Sequence, residues 1–293
     1  MPEGVVTLID YDKLKNWKFE PVYQTYSRRD AIIYALGLNI GHDPLDAYDL
    51  RYVAGEPPMV EPMMAMTLAR LGPWMRHPET GIDYRRIVVG EVTLRSIAPL
   101  PIEGRVRGDH RVVRVTDKGE GRGALVTVLR ELRDDETGEL LAEYEQVTFC
   151  RAEGGFARDG RHDPQPSEPA LPKPWLDGTR PDWAAEVPTS PSQALIYRLS
   201  GDYNPLHSDP ETARKAGFER PILHGLATMG MAGHALARLA DAPLEMVRGR
   251  LSAPVFPGDR LRLEAWRADG LVVFHMLNAE GREVLSNGVC KPK

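Results

Sequence analysis

At 293 residues, 42% hydrophobic and 27% charged, the chain has the size and polarity of one large or two ordinary folded domains, which excludes a disordered chain. A net charge of -5 argues against nucleic acid as the main partner, and no apolar run reaches the length of a membrane span. Cys150 and Cys290 make neither a disulfide framework nor a metal-ligand cluster, and Met1-Pro2-Glu3-Gly4 lacks a basic-then-apolar leader pattern, so the expected compartment is the cytoplasm.

Taken in chain order, the first predicted helix covers 28–38. An irregular stretch follows, then a second helix over 63–71. Alternating segments predict strands near 88–98, 104–116, 122–134 and 139–151, with turns at Lys118-Gly119 and Thr137-Gly138. Prolines then stand at 164, 166, 169, 172, 174, 181, 188 and 191. Such density predicts an extended connector without regular helix or sheet, and it divides the chain into 1–155, a linker 156–190, and 191–293. Past it the same order returns. A helix over 192–199 precedes an irregular stretch and a longer helix over 225–239, in which Leu226, Met229, Gly233 and Leu236 recur at helical spacing. Strands over 260–265, 271–277 and 284–290 follow, separated by Asp269-Gly270 and Glu280-Gly281. A slim apolar helix followed by an antiparallel meander predicts an α+β fold with each sheet wrapped around one central helix.

The recurrence extends to residues. Shifted by 163 positions, the run 31–36 falls on 194–199, with Tyr34 on Tyr197. Without a gap, Asp46 then falls on Asp209, Arg51 on Arg214, Pro58 on Pro221 and Met66 on Met229. The two cysteines sit near the ends of equivalent final strands. The chain therefore reads as a duplicated domain.

The duplication has not kept its chemistry. The second copy sets Asp202 and His207 five residues apart in a stretch rich in Gly, Asn and Pro, with Gly225 at a helix start. A carboxylate, an imidazole and a free amide are the acid, base and oxyanion donor needed to add water across an activated double bond. In the first copy Asn39 stands for Asp202, Pro44 for His207 and Pro62 for Gly225. Asn and Pro have no titratable group there, and Pro62 has no N–H to offer. The first half is expected to be catalytically silent and to hold part of the substrate.

Each of these residues also has a plainer reading. An Asp-x-Asn-Pro run taken alone is an ordinary turn, and a lone loop histidine is usually a hydrogen-bonded one. The weight comes from both blocks occurring together with a degenerate copy. His224 is read as packing at the helix entry, His234 as a histidine with no assigned partner, and Gly230 and Gly233 as sites of close helix packing. Met63, Met64 and Met66 read equally as core or as lining of a substrate tunnel. Nucleophile-elbow, dinucleotide-binding and zinc-protease motifs are absent from the sequence.

The run 197–207, the run 217–225 and Pro254-Val255-Phe256-Pro257-Gly258 together resemble the hydratase 2 branch of the MaoC-like dehydratases. Tyr26-Ser27-Arg28-Arg29-Asp30 and Pro99-Leu100-Pro101 extend the likeness to two-repeat members, so it covers nearly the whole chain. The resemblance implies a double hotdog fold and reversible hydration of trans-2-enoyl-CoA to (3R)-3-hydroxyacyl-CoA in the second repeat. It implies no metal and no separate cofactor, coenzyme A being part of the substrate, and a homodimer of such chains. Asp202 and His207 would clasp one water, Asn204 would orient that water or Asp202, and the Gly225 N–H would hold the thioester oxygen. Which of the dyad acts on water stays open. Arg250 and Lys291 are candidate contacts for the coenzyme A phosphates. A hotdog thioesterase and a non-catalytic acyl-CoA-binding protein are the alternatives.

Overall fold

Ten strands form one continuous antiparallel sheet in the computed structural model, which describes residues 9–166 and 171–293. Met1–Gly4 and Pro169, used above for compartment and linker, lie outside the described residues. The first half contributes the short helix α1 (Tyr11–Lys15), strand β1 (Val22–Tyr26), and helices α2 (Arg28–Gly37) and α3 (Ala47–Val53). Strands β2 (Ile87–Ser96), β3 (Gly104–Asp117), β4 (Ala124–Asp134) and β5 (Leu140–Cys150) follow. The second half runs β6 (Trp183–Pro188), α4 (Gln193–Tyr197), α5 (Pro210–Lys215), α6 (Gly225–Ala240), β7 (Leu244–Leu251), β8 (Arg260–Ala268), β9 (Leu271–Leu277) and β10 (Glu283–Pro292).

Across the sheet the order is β1-β3-β4-β5-β2-β7-β10-β9-β8-β6, so the second five strands mirror the first five. The mirror line is the ladder between β2 and β7, where Val92 faces Gly249 and Leu94 faces Val247. Identities in the repeat now have physical causes. Asp46 and Asp209 both cap helices, each carboxylate accepting from the amides two and three residues on. Tyr34 and Tyr197 are fully buried and meet ring to ring at 5.9 Å, joining α2 to α4. Cys150 ends β5 and Cys290 lies near the end of β10, both as buried free thiols.

The helix α6 is the central one. Ten of its sixteen residues are buried, among them Leu226, Met229, Gly233 and Leu236, so the sheet covers most of its circumference. Gly233 is required for the approach of the first repeat. A Cβ added there would stand 2.5 Å from the Met63 sulfur.

Two sequence expectations are corrected. The helix predicted over 63–71 is a single tight turn, Pro62–Met66. Ala69 ends it in the left-handed region at φ 48°, its amide tied to Gln24 Oε1 at 2.6 Å, and Gly72-Pro73 prevents any continuation. The hotdog is thus double, but only the second half has a long central helix. The second correction concerns the linker over 156–190, which holds the regular strand β6. It lies at the sheet edge against β8, where proline at a strand end costs no ladder bond on the outer side. The second repeat therefore begins at β6, eight residues before the boundary set at 191. Trp175 of the connector packs its ring, tilted, against Trp266 and His275, and Trp266 donates to Thr179 O.

Candidate active site

The loop after α4 turns sharply at Gly201, whose φ of 105° favours glycine, and delivers Asp202 to a cavity of about 1050 Å³. Asn204 shapes the turn twice. Its amide donates to Asp202 Oδ1 at 3.3 Å, and its side-chain oxygen caps the next turn by accepting from Leu206 N. That turn, Pro205–His207, carries the buried His207. One donor atom from each of Asp202, His207 and His224 lies within 4.8 Å of the others, and all three line the cavity with Asn204 and Gly225.

Two hydrogen bonds orient the imidazoles. His207 Nδ1 lies 2.8 Å from the Ile222 carbonyl, and His224 Nε2 lies 3.1 Å from the Asp202 carbonyl. A carbonyl oxygen only accepts, so each of these ring nitrogens carries the proton. His207 Nε2 is left with a free lone pair, the form a base needs. The two rings stack with centroids 3.7 Å apart, and Tyr197 closes the other side of His224 at 4.9 Å.

Electrostatics sort the three groups. Burial favours the neutral acid at Asp202 and is the largest single influence, but the Arg70 guanidinium 3.2 Å away, the two imidazoles and the Asn204 amide together hold the carboxyl below its ordinary range. His207 is pushed down, by burial first and by the Arg70 charge, against the opposing pull of the Ile222 carbonyl and Asp202. His224 is pushed down to about 3 by burial and by its stacked neighbour. The resting site is a carboxylate beside two neutral imidazoles. At the start of α6 no side chain caps the helix, and while the Ala227 amide donates to the His224 carbonyl, the Gly225 and Leu226 amides have no partner among the described residues and lie at the cavity. Gly225 is also sterically required, since a Cβ would meet Leu251 Cδ1 at 2.5 Å.

The structure thus brings Asp202, His207, Asn204 and Gly225 together. It does not bring Arg250 or Lys291 to them. Neither lines the cavity: both are exposed on strands, and Lys291 pairs with Glu245 at 2.7 Å. Side chains alternate along β7, so Gly249 and Leu251 face inward and Arg250 faces out. Met63, Met64 and Met66 are core rather than cavity lining.

Sequence reasoning missed three residues. His224, read as packing, is part of the constellation. Arg70, which lies outside the motif, crosses from the first repeat to Asp202. His234 has two partners: Nδ1 lies 2.7 Å from Glu61 and Nε2 3.1 Å from Asp49, and Arg238 adds an ion pair to Asp46. Burial opposes the charge on His234, but the two carboxylates prevail and lift it to about 9.

Comparison with known proteins agrees with this architecture. The description "MaoC like domain" matches residues 176–288, and "MFE-2 hydratase 2 N-terminal domain" matches residues 24–152. The chain is 36% identical to 3-hydroxyacyl-thioester dehydratase Y of Mycobacterium tuberculosis over 92% of its own length and 93% of the relative's. It is 34% identical to the peroxisomal enoyl-CoA hydratase 2 of Arabidopsis thaliana, covering 92% and 91%. The crystal structure of a MaoC-like dehydratase from Phytophthora capsici superposes with a TM-score of 0.81 at 29% identity, covering 97% of this chain and 99% of that one. With its two repeats matched in the order first-half hydratase 2 domain, then MaoC-like domain, the chain belongs to the MaoC-like hydratase 2 family.

Proposed function

We propose that this chain hydrates trans-2-enoyl-CoA reversibly to (3R)-3-hydroxyacyl-CoA, with the chemistry confined to the second repeat. The observation that carries the reading is the convergence of the Asp202 and His207 side chains in one cavity beside the uncapped helix start at Gly225, with His207 Nδ1 tied to the Ile222 carbonyl. The conjugated thioester makes C3 electrophilic. A water held between Asp202 and His207 adds its oxygen to C3 and gives up a proton to the dyad. The dyad returns a proton to C2, and the negative charge that builds on the thioester oxygen is held by the Gly225 N–H. Both groups stand on one side of the double bond, so water adds syn. Asn204 keeps Asp202 in place through its amide. Relatives bearing the names enoyl-CoA hydratase 2 and 3-hydroxyacyl-thioester dehydratase support this reaction class.

The chemistry runs on side chains and needs no separate cofactor. The first repeat, short of its central helix, accommodates the acyl group. We read the chain as a homodimer in a reducing compartment, on the resemblance and on the two buried free thiols. The cytoplasm fits that reading, and so does the peroxisome named for several relatives. No helix among the described residues is long and apolar enough to cross a membrane.

The test follows loss of the conjugated-enoyl absorbance and release of free thiol together. Asp202→Asn and His207→Ala are each expected to lower kcat by about 10²–10⁴-fold with thermal stability retained. Thiol release in place of hydration, or hydration untouched in both variants, overturns the assignment.

A further inference from the structure

Where the first repeat lacks a long helix, the inner face of its sheet is exposed to the cavity, and that face is polar. His110, Arg130 and Tyr144 are directly opposite one another on β3, β4 and β5, forming one row across three strands. Gln146 and Thr148 continue it along β5. All five line the cavity. On the mirror strands Leu261, Leu263, Phe274 and Met276 are buried apolar residues, and His275 is paired with Glu264 and Glu283.

Arg130 is the unusual member. It is 3% exposed, yet no carboxylate lies within ion-pair distance among the described residues. One guanidinium nitrogen donates to the Ala65 carbonyl at 2.6 Å and the plane stands 4.8 Å from the Tyr144 ring, but Nε has no acceptor. Burial and the Arg70 charge lower its pKa to about 10, so it is still a cation at neutral pH. Beside it His110 has both ring nitrogens buried without a hydrogen-bond partner. Burial first and then the Arg130 charge push that imidazole down to about 4, against the pull of the Gly108 carbonyl and Asp109, so it is neutral. Among the described lining residues the cavity has five arginines, at 70, 76, 85, 130 and 151, and one carboxylate, Asp202. A buried cation without a counter-ion is costly unless something supplies one.

We propose that the His110–Arg130–Tyr144 row receives a carboxylate carried on the acyl tail, making ω-carboxyacyl thioesters the favoured substrate class. This rests on the hydratase reading and sharpens it. The two carboxylate oxygens accept from Arg130 Nε and from a His110 ring N–H, both buried and without a hydrogen-bond partner among the described residues. Thr148 and Gln146 extend the polar wall beside it.

The experiment compares trans-2-enoyl-CoA substrates ending in a carboxylate with methyl-ended ones of equal length, over a series of chain lengths. At the length that reaches the row, the carboxylate-ended substrate is expected to have a kcat/KM about 10-fold or more higher, the effect of a charge-assisted hydrogen bond. Arg130→Met is expected to abolish that preference, bringing kcat/KM for the carboxylate-ended substrate down to that for the methyl-ended one. Because Arg130 also holds Ala65, the wild-type protein gives an independent reading. Saturated ω-carboxyacyl-CoA should raise its melting temperature more than the matched acyl-CoA does, with no catalysis involved. Equal kcat/KM and equal shifts at every length overturn the proposal. An equal loss for both substrates in Arg130→Met also overturns it, since that marks a contact to the coenzyme A they share. If neither substrate is hydrated, the hydratase reading falls and the melting shifts alone decide the role of the row.

Discussion

Replacing Arg70 with glutamine removes the cation that faces Asp202. At 3.2 Å and an effective dielectric of about 20, the pair attracts by about 5 kcal/mol. The side chains keep 31% and 26% of their exposure, and water takes up much of what the guanidinium gave, so about 1–2 kcal/mol of differential stabilisation survives. That corresponds to about one pKa unit. The sign is the same at every group the charge touches. Asp202 loses the cation that holds its carboxyl down, and His207 loses one that holds its imidazole down, so both rise. The dyad titrates as a unit, and the acid limb of its activity is where it gains protons. For Arg70→Gln, kcat/KM measured from roughly pH 4 to pH 9 should show the acid limb displaced upward by about one unit, with the melting temperature close to wild type. Arg70→Lys should restore part of the displacement, since it keeps the charge but not the planar fork. An acid limb that does not move in a folded Arg70→Gln variant would refute the electrostatic reasoning.

Further outcomes follow from the helix that joins the repeats. His234 has a folded pKa of about 9 against an ordinary 6.5, so its contribution is complete below pH 6.5 and is lost as pH rises toward 9. Denaturant unfolding should show stability falling by about 3 kcal/mol over that interval, a slope that His234→Gln flattens; parallel profiles for the two proteins would contradict this. At Gly233 a side chain meets Met63 at 2.5 Å, and Gly233→Val should cost about 1–3 kcal/mol of stability, read as a lower unfolding midpoint. An unchanged midpoint would mean that the first repeat yields freely at its contact with α6.

Local signals were legible in the sequence to the extent that they depend on near neighbours. The strands with strict alternation were readable, as were the turn glycines and the helix over 225–239. So was the motif around Asp202, because turn chemistry and helix entry are written in adjacent residues. The internal repeat extended that reach, since a degenerate copy marks which positions the scaffold needs and which the chemistry needs. Pro62–Met66 misled because Met, Ala and Leu have good helix propensity, while the stop at Ala69 comes from Gln24, forty-five residues away. The strand β6 was hidden by flanking prolines that an edge position tolerates. Arg70, Arg130 and His234 were illegible for a common reason: each owes its role to partners on another element, brought close only by the fold.

The β2–β7 ladder has an evolutionary consequence. Two identical hotdogs meeting at such a seam would be bound by symmetry: any substitution made in one appears in the other. A residue helpful opposite the reacting carbons would then be forced into the catalytic copy as well. Joining the copies in one chain, through the connector between β5 and β6, lifts that restriction while the β2–β7 ladder keeps them paired. One wall of the cavity can accumulate Arg130 and His110 while the other keeps Asp202 and His207, and neither change is imposed on its counterpart. Discrimination between acyl groups and catalysis thereby become separately adjustable within a single chain.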